Sequence, residues 1–131
     1  MASIIKDVPL AVSAEQAWAL LRDPGAAHRA FPGVLADCVR DGDERVVTFA
    51  NGMVLRERIL SVDETHRRVA YAALGEHFVH HSASMQIIPD GAARSRFFWA
   101  SDFLPEEVGA QMLPLIEQGC AAFRQAAEAG G

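Results

Sequence analysis

Hydrophobic and polar residues alternate with a period of two through most of the chain between residues 34 and 103. Such alternation is typical of β-strands that bury one face and expose the other. Turn-forming residues separate the runs, most clearly at 51–52 (NG) and 89–91 (PDG). The segment predicts six strands in a meander, with the sequences VLADCVR, ERVVTFA, MVLRERILSV, RRVAYAAL, FVHHSASMQII and RSRFFWASDF.

Two short helices are predicted ahead of this meander. After an opening strand over residues 3–12, Ser13 stands at an N-cap position with Gln16 three residues later, which indicates a capping box and a short helix. Asp23 followed by Pro24 repeats the pattern of an N-cap with proline at the first helical position. Both helices therefore come directly after the first strand.

The last part of the chain predicts one long helix, from Pro105 to about Glu128, with acidic residues in its first turn. Apolar or small residues recur there at spacings of three and four and form a stripe: Val108, Met112, Leu115, Gly119, Phe123 and Ala126. A seven-stranded antiparallel sheet curved around this helix would bury the apolar faces of both. The sequence thus predicts an α+β fold in a single domain over residues 1–131.

One charged residue falls on the apolar side of a predicted strand. In VLRERILSV, residues 54–62, alternation places Glu57 on the same face as Leu55 and Ile59. A carboxylate in such a position is paired, raised in pKa, or waiting for a ligand. Two interpretations stay open: a functional carboxylate in a cavity, or a core glutamate paired with an arginine or with water.

The same parity argument predicts the lining of an interior cavity, because the odd-numbered positions of the later strands are the more apolar or aromatic set. A mostly apolar pocket with a few convergent polar groups is the usual form of a ligand site. The predicted ligand-binding residues are Leu55, Glu57, Ile59, Tyr71, Val79, His81, Ala83, Met85, Phe97, Trp99, Ser101, Met112, Leu115, Gly119 and Phe123. Within this set, Glu57 and His81 are the candidate catalytic acid and base.

No metal site or cofactor is predicted. His77 and His81 share a strand face but lie four residues apart, about 13 Å at about 3.3 Å per residue. One metal ion with ligand distances near 2.1 Å cannot bridge them. Cys38 and Cys120 lack metal-site spacing and are interpreted as buried thiols. Phosphate-loop, dinucleotide and nucleophile-elbow motifs are absent from the sequence.

The composition of the chain excludes some classes of binding partner. The 131 residues carry a formal net charge of -5 and no long run of Lys or Arg, which argues against nucleic acid as a partner. Charged residues interrupt every apolar stretch well before about 18 residues, so no integral membrane association is expected. We expect a cytoplasmic protein that is a monomer or a homodimer.

The order of elements and three stretches of sequence resemble the helix-grip superfamily known as START/Bet v 1-like or SRPBCC, and within it the bacterial polyketide cyclase/dehydrase-like branch. These stretches are AEQAWALLRDPGAAHRAFPGV at 14–34, NGMVLRERILSVDETHRRVAYAAL at 51–74, and RFFWASDF with Pro105. The resemblance implies a deep, mostly apolar cavity between the sheet and the C-terminal helix. Relatives use that cavity to bind lipids, hormones, polyketides or other hydrophobic molecules.

The central stretch ERILSVDETHRRVAYAALGEHFVHH is also similar to plant abscisic-acid receptors. That resemblance implies that Glu57 faces the cavity and meets a polar ligand group through water. The receptors' Ser-Gly-Leu-Pro-Ala gate has only ANGM, residues 50–53, in its place, which argues against hormone gating of the plant type. Phe78 stands where the receptors carry an arginine, in a loop expected near the entrance at residues 75–80.

Three functions are therefore considered. The leading hypothesis is a protein that binds a small hydrophobic or aromatic molecule in the cavity, with Glu57 as its main polar anchor. The second is an aromatase/cyclase-type enzyme in which Glu57 and His81 act as acid and base on a polyketide-like substrate. The third is a dimeric interaction module, because some apolar residues fall on the outer face of the predicted sheet, namely Val54, Leu60, Phe98 and Ala100.

Overall fold

The computed structural model describes residues 2–130, so Met1 and Gly131, the ends of the predicted domain, lie outside it. Seven antiparallel strands form one sheet in the order β1-β7-β6-β5-β4-β3-β2. The strands are β1 (Ser3–Leu10), β2 (Leu35–Asp41), β3 (Glu44–Phe49), β4 (Val54–Asp63), β5 (Arg68–Leu74), β6 (His80–Pro89) and β7 (Ser95–Leu104). The predicted meander is confirmed for β2 to β7, and the first strand pairs with the last.

The helices also follow the prediction. They are α1 (Ala14–Leu21), a 3-10 turn (Pro24–Ala26) that runs into α2 (Ala27–Ala30), and α3 (Glu106–Ala129). Ser13 accepts a hydrogen bond from the Gln16 backbone N–H at 3.2 Å, as an N-cap does. The Gln16 side chain does not complete the predicted capping box, because it donates to the Ala127 carbonyl instead and connects α1 to α3.

None of these helices is both long enough and apolar enough to cross a bilayer.

The core lies between one face of the sheet and α3. Phe97 of β7 stacks on Phe123 of α3, with ring centroids 4.3 Å apart, and both rings are fully buried. Burial of one such side chain stabilises a fold by about 1.5–3 kcal/mol. The α+β helix-grip architecture, with two short helices after the first strand and a long C-terminal helix on the sheet, is confirmed.

The start of β6 differs from the prediction. The sequence predicts a strand from Phe78, but the strand begins at His80, after a turn in which Gly75 has a φ of 104°. The parity argument therefore fails in the loop: Val79 is 82% exposed, whereas Phe78 packs against the core. His77 and His81 do not share a strand face as predicted, because His77 is exposed in that loop and His81 is buried in β6.

The outer face of the sheet carries the apolar residues expected there. Val54 and Leu60 are exposed by more than half, and Phe98 and Ala100 are half-buried. Small residues of β5 to β7 lie between them, including Ala70 and Ser84. The monomer or homodimer state remains a prediction.

Candidate functional site

A cavity lies between the sheet, α2 and α3, and the centre of a water-sized sphere can move through about 60 Å³ of it. Many of the residues predicted to line a cavity do line this one: Leu55, Glu57, Tyr71, His81, Met85, Trp99, Ser101, Met112, Leu115 and Gly119. Residues outside the predicted set complete the wall: Ala27, Phe31, Val34, Leu35, Arg45, Val47, Phe49, Phe103 and Ile116. The wall is mostly apolar, and its ionisable groups come from β3, β4, β5 and β6.

The remaining predicted residues lie elsewhere. Ala83, Phe97 and Phe123 are buried, but they pack within the core rather than along the cavity. Ile59 is half-buried because β4 bulges directly after it, and a bulge re-aims the side chains around it. Val79 is solvent-exposed, since its loop precedes β6. The prediction that these five residues line the cavity is therefore wrong.

The apolar lining residues that are only half-buried mark the mouth of the cavity. These are Val34 just before β2, Leu35 at its start, Phe49 at the end of β3, and Met112 and Leu115 on α3. The remaining lining residues are buried. A molecule entering past these side chains would leave water through an apolar rim before it meets the polar groups inside.

Glu57 is paired with Arg45, which is not among the predicted site residues. Arg45 lies opposite Glu57 in the β3–β4 register, and its Nε donates to Glu57 Oε1 at 2.9 Å. Arg45 also donates from Nη1 to the Pro24 carbonyl at 2.9 Å, and its guanidinium lies 4.8 Å from the centre of the Tyr71 ring. A signal was available: in ERVVTF, alternation puts Arg45 on the same face as Val47.

Burial controls the acidity of Glu57. Removal from water raises the pKa of its carboxyl above the ordinary value, although the charge and the hydrogen bond of Arg45 act in the opposite direction. Its second oxygen, Oε2, has no hydrogen-bond partner among residues 2–130. One carboxylate oxygen of Glu57 thus accepts a hydrogen bond from Arg45, and the other is free to accept one from a ligand.

His81 takes the place of a main-chain group in the sheet. The β5–β6 ladder ends at Tyr71 and Ala83, and beyond it the Ala73 backbone N–H donates to His81 Nδ1 at 2.8 Å. Because a backbone N–H can only donate, Nδ1 must be unprotonated, and the proton of the neutral ring is on Nε2. Burial in the first place, and the nearby His80 in the second, lower the pKa of His81 to about 4.

This geometry limits the chemistry of His81. Its accepting nitrogen is already occupied, and its other nitrogen already carries a proton. The neutral imidazole can donate a hydrogen bond from Nε2 but cannot accept a proton without losing the bond to Ala73. His81 therefore suits ligand orientation better than base catalysis.

Two aromatic residues complete the polar part of the lining. Burial raises the pKa of the Tyr71 phenol, and the Glu57 carboxylate adds to the effect. Trp99 packs at 5.6 Å from Phe31 and 5.9 Å from Phe97, measured between ring centroids. Its six-membered ring also lies against α3 at Gly119, where an added Cβ would come within 2.9 Å of it. Glycine at this position lets the indole reach the helix.

The loop before β6 covers the side of the cavity near His81. The Phe78 ring lies 5.1 Å from the His81 ring and 6.1 Å from the Phe103 ring. Phe103 and His81 both line the cavity, so the loop packs behind its wall.

Within the described residues, no group of three or more His, Cys, Asp or Glu side chains is arranged to hold a metal ion.

Solved structures share this fold over nearly the whole chain. The protein XoxI of Bacillus cereus is 20% identical, with 96% of this chain and 95% of that chain covered and a TM-score of 0.84. A Thermobifida fusca protein is 25% identical, with coverage of 100% and 94% and a TM-score of 0.79. Norcoclaurine synthase of Thalictrum flavum, in complex with dopamine and hydroxybenzaldehyde, is 22% identical, with coverage of 97% and 84% and a TM-score of 0.74.

Comparison by sequence identifies the family of the chain. No curated protein is similar enough in sequence to match the chain. A family profile described as polyketide cyclase / dehydrase and lipid transport matches residues 1–128. The predicted superfamily is confirmed, and the chain belongs to the polyketide cyclase / dehydrase and lipid transport family, with a Bet v 1-like helix-grip fold.

Proposed function

We propose that the chain binds a small, uncharged hydrophobic or aromatic molecule in the cavity between the sheet and α3. The observation that carries this proposal is the cavity itself: an apolar mouth and walls that lead to a few buried polar groups. Such an arrangement gives affinity through apolar burial and orientation through hydrogen bonds.

Charge in the lining supports an uncharged ligand. Arg45 and Glu57 neutralise one another across 2.9 Å, and both side chains are buried. An ionised ligand would have to break this pair or enter a water-poor site without a counter-charge, and either is costly. A neutral molecule can use the free Oε2 of Glu57 and the Nε2–H of His81 without disturbing the pair.

The comparisons add a size range to this proposal. The family description names lipid transport together with polyketide cyclisation. The Thalictrum flavum enzyme was solved with dopamine and hydroxybenzaldehyde, which are small aromatic molecules. We infer that uncharged aromatic molecules of about the size of hydroxybenzaldehyde are candidate ligands here too, and that the chain acts in the cytoplasm.

Native mass spectrometry of the protein purified from its own host tests the proposal. The wild-type protein should carry a co-purified small molecule. Leu115→Trp, which places a large side chain in the cavity mouth, should reduce its occupancy about ten-fold or more. Gln118→Trp is the matched control, because residue 118 is exposed on the same helix and does not line the cavity.

Occupancy as high as that of the wild type in both tryptophan variants would contradict binding in this cavity. Loss of the molecule in both variants would point to damage to α3 instead, which circular dichroism of each variant would reveal. An empty wild-type protein would move the weight of argument to a transiently occupied enzyme site.

The family description favours a second candidate, an aromatase/cyclase-type enzyme. The proposed pair of Glu57 and His81 would then act unequally: Glu57 Oε2 is the available base, and His81 donates a hydrogen bond to the substrate carbonyl. Incubation with a linear poly-β-keto thioester, followed by mass spectrometry of the products, tests this candidate. Cyclisation above the spontaneous rate that disappears in Glu57→Gln would support it, and an unchanged product profile would contradict it.

A further inference from the structure

The cavity is small for the molecules that it is proposed to bind. The centre of a water-sized sphere can move through about 60 Å³ of it. An apolar cavity that is known to bind one benzene molecule measures about 150 Å³. A ligand with even one aromatic ring must therefore displace side chains of the lining, and the size of the ligand depends on which side chains can move.

The side chains at the mouth can make room. The five apolar residues there are only half-buried, so part of each side chain already faces solvent. Among them, Met112 is unbranched and has three rotatable side-chain bonds, which lets a methionine adapt to neighbours of different shape. Space for a ligand can thus be gained at the mouth with little loss of packing.

Trp99 closes another side of the cavity, because its side chain crosses the gap between the sheet and α3. The residue belongs to β7, yet its six-membered ring reaches the helix: a Cβ added at Gly119 would lie 2.9 Å from Cζ3 and 3.2 Å from Cη2. Trp99 and Gly119 both line the cavity. The indole therefore forms a partition that extends from one layer of the fold to the other.

The interior behind this partition is tightly packed. The Trp99 ring lies 5.6 Å from the Phe31 ring and 5.9 Å from the Phe97 ring, measured between centroids. Phe97 stacks on Phe123 at 4.3 Å, and these two rings are fully buried and do not line the cavity. Close-packed side chains cannot shift singly without disturbing their neighbours. The cavity can therefore grow at its mouth but not past Trp99.

We propose that Trp99 is a specificity-determining residue, which limits the ligands of this cavity to molecules with one aromatic ring. The inference rests on the proposed function, since it needs a ligand in the cavity. A fused second ring would have to displace the indole, and with it the contacts of Phe31, Phe97 and Gly119. Its extra apolar surface would therefore add little affinity.

Phenol and 2-naphthol are suitable probes, because both are uncharged at neutral pH and they differ by one fused ring. Their dissociation constants are measured by titration calorimetry with the wild-type protein and with Trp99→Leu, which removes the part of the side chain that reaches α3. The wild type should bind 2-naphthol no more tightly than phenol. Relative to phenol, the variant should bind 2-naphthol about ten-fold more tightly than the wild type does, as expected from burying roughly two more carbon groups.

Phe123→Leu is the matched control. It also replaces a buried aromatic ring with leucine, but at a position that does not line the cavity. The ratio of the two dissociation constants should stay at its wild-type value. An equal change in the ratio for Phe123→Leu and Trp99→Leu would contradict the proposal, because a loosened core rather than the partition would then set the size limit.

Nuclear Overhauser effects in the wild-type protein test the contact even if Trp99→Leu does not fold. The chain has two tryptophans, and Trp18→Phe assigns their ring signals. Protons of bound phenol should show effects to the Trp99 ring and none to the Trp18 ring. Bound phenol without any effect to Trp99 would overturn the proposal.

The outcomes separate this inference from the proposed function. If the ratio for the two probes is the same in the wild type and in Trp99→Leu, the size limit is wrong while cavity binding stands. The same holds if neither probe binds but Leu115→Trp still removes a co-purified molecule in mass spectrometry. If neither probe binds and Leu115→Trp changes nothing, the proposed function fails and this inference fails with it.

Discussion

The two faces of the β3–β4 hairpin carry the same chemistry in different surroundings. On the outer face, Glu44 of β3 accepts from Arg56 at 2.9 Å and from Arg58 at 3.2 Å. On the inner face, the next residue of β3, Arg45, donates to Glu57 at 2.9 Å. Neighbouring residues of the same two strands thus form one solvated cluster and one buried pair.

Both carboxyls pair with arginine, so exposure to solvent decides whether the pKa of each one is raised or lowered. Hydrogen bonds from Arg56 and Arg58 lower the pKa of Glu44. For Glu57, burial outweighs the attraction of Arg45 and raises the pKa. The buried pair is therefore held at some electrostatic cost, so its burial alone is weak evidence that it stabilises the fold.

The largest expected effect comes from removing one partner of the buried pair. Arg45→Met should lower the free energy of unfolding by about 3–5 kcal/mol, because it leaves the Glu57 carboxylate buried without a counter-charge. Arg56→Met removes the matching charge from the outer face and should have a much smaller effect. Denaturant unfolding of both variants at neutral pH measures the difference.

A double variant isolates the cause. Arg45→Met combined with Glu57→Leu replaces the pair with apolar side chains and should recover most of the lost stability. If Arg45→Met is no more destabilising than Arg56→Met, the buried pair is not desolvated in the way its burial indicates.

A smaller effect is expected when the charge is kept and the geometry is changed. Arg45→Lys should cost about 1–2 kcal/mol, because one ammonium cannot donate both to Glu57 and to the Pro24 carbonyl as the guanidinium does. Arg56→Lys is the outer-face control and should be close to neutral. Equal changes in thermal unfolding midpoint for the two variants would show that the contact with Pro24 adds nothing.

Much of the fold could be predicted from the sequence because each strand obeys one simple period. The inward position of Glu57, Tyr71, His81 and Trp99 follows from alternation within regular strands. The prediction failed where that period breaks. Val79 lies in a loop rather than a strand, and a β-bulge follows Ile59.

The partners inside the site were harder to predict than its lining. Finding Arg45 opposite Glu57 requires the register between β3 and β4, which depends on a turn and cannot be read from either strand alone. The bond from Ala73 to His81 Nδ1 arises because the β5–β6 ladder stops early, and hydrophobic alternation carries no signal for that. Alternation therefore indicates which side chains face inward, whereas their pairing depends on tertiary geometry.

The smallest expected effect is on the pH dependence of stability, to which Glu57 on the inner face and Glu44 on the outer face contribute with opposite signs. The pKa of Glu57 is raised in the folded protein, so its carboxyl keeps its proton to a higher pH there than in the unfolded chain, where it ionises near pH 4.5. Stability therefore falls as the pH rises from 4.5 through the folded-state pKa. For Glu44 the pKa is lowered, so its contribution is present above pH 4.5 and is lost as the pH falls below it.

Urea unfolding as a function of pH tests both signs with two variants. Glu57→Gln should remove part of the decline on the upper side of pH 4.5, and Glu44→Gln should remove part of the decline on the lower side. Each variant serves as the control for the other, since both change a glutamate on the same hairpin to its neutral isostere. A Glu57→Gln protein whose stability changes with pH as the wild type does would mean that Glu57 titrates normally. The interior of the cavity would then be open to water, and the argument for an uncharged ligand would have to be abandoned.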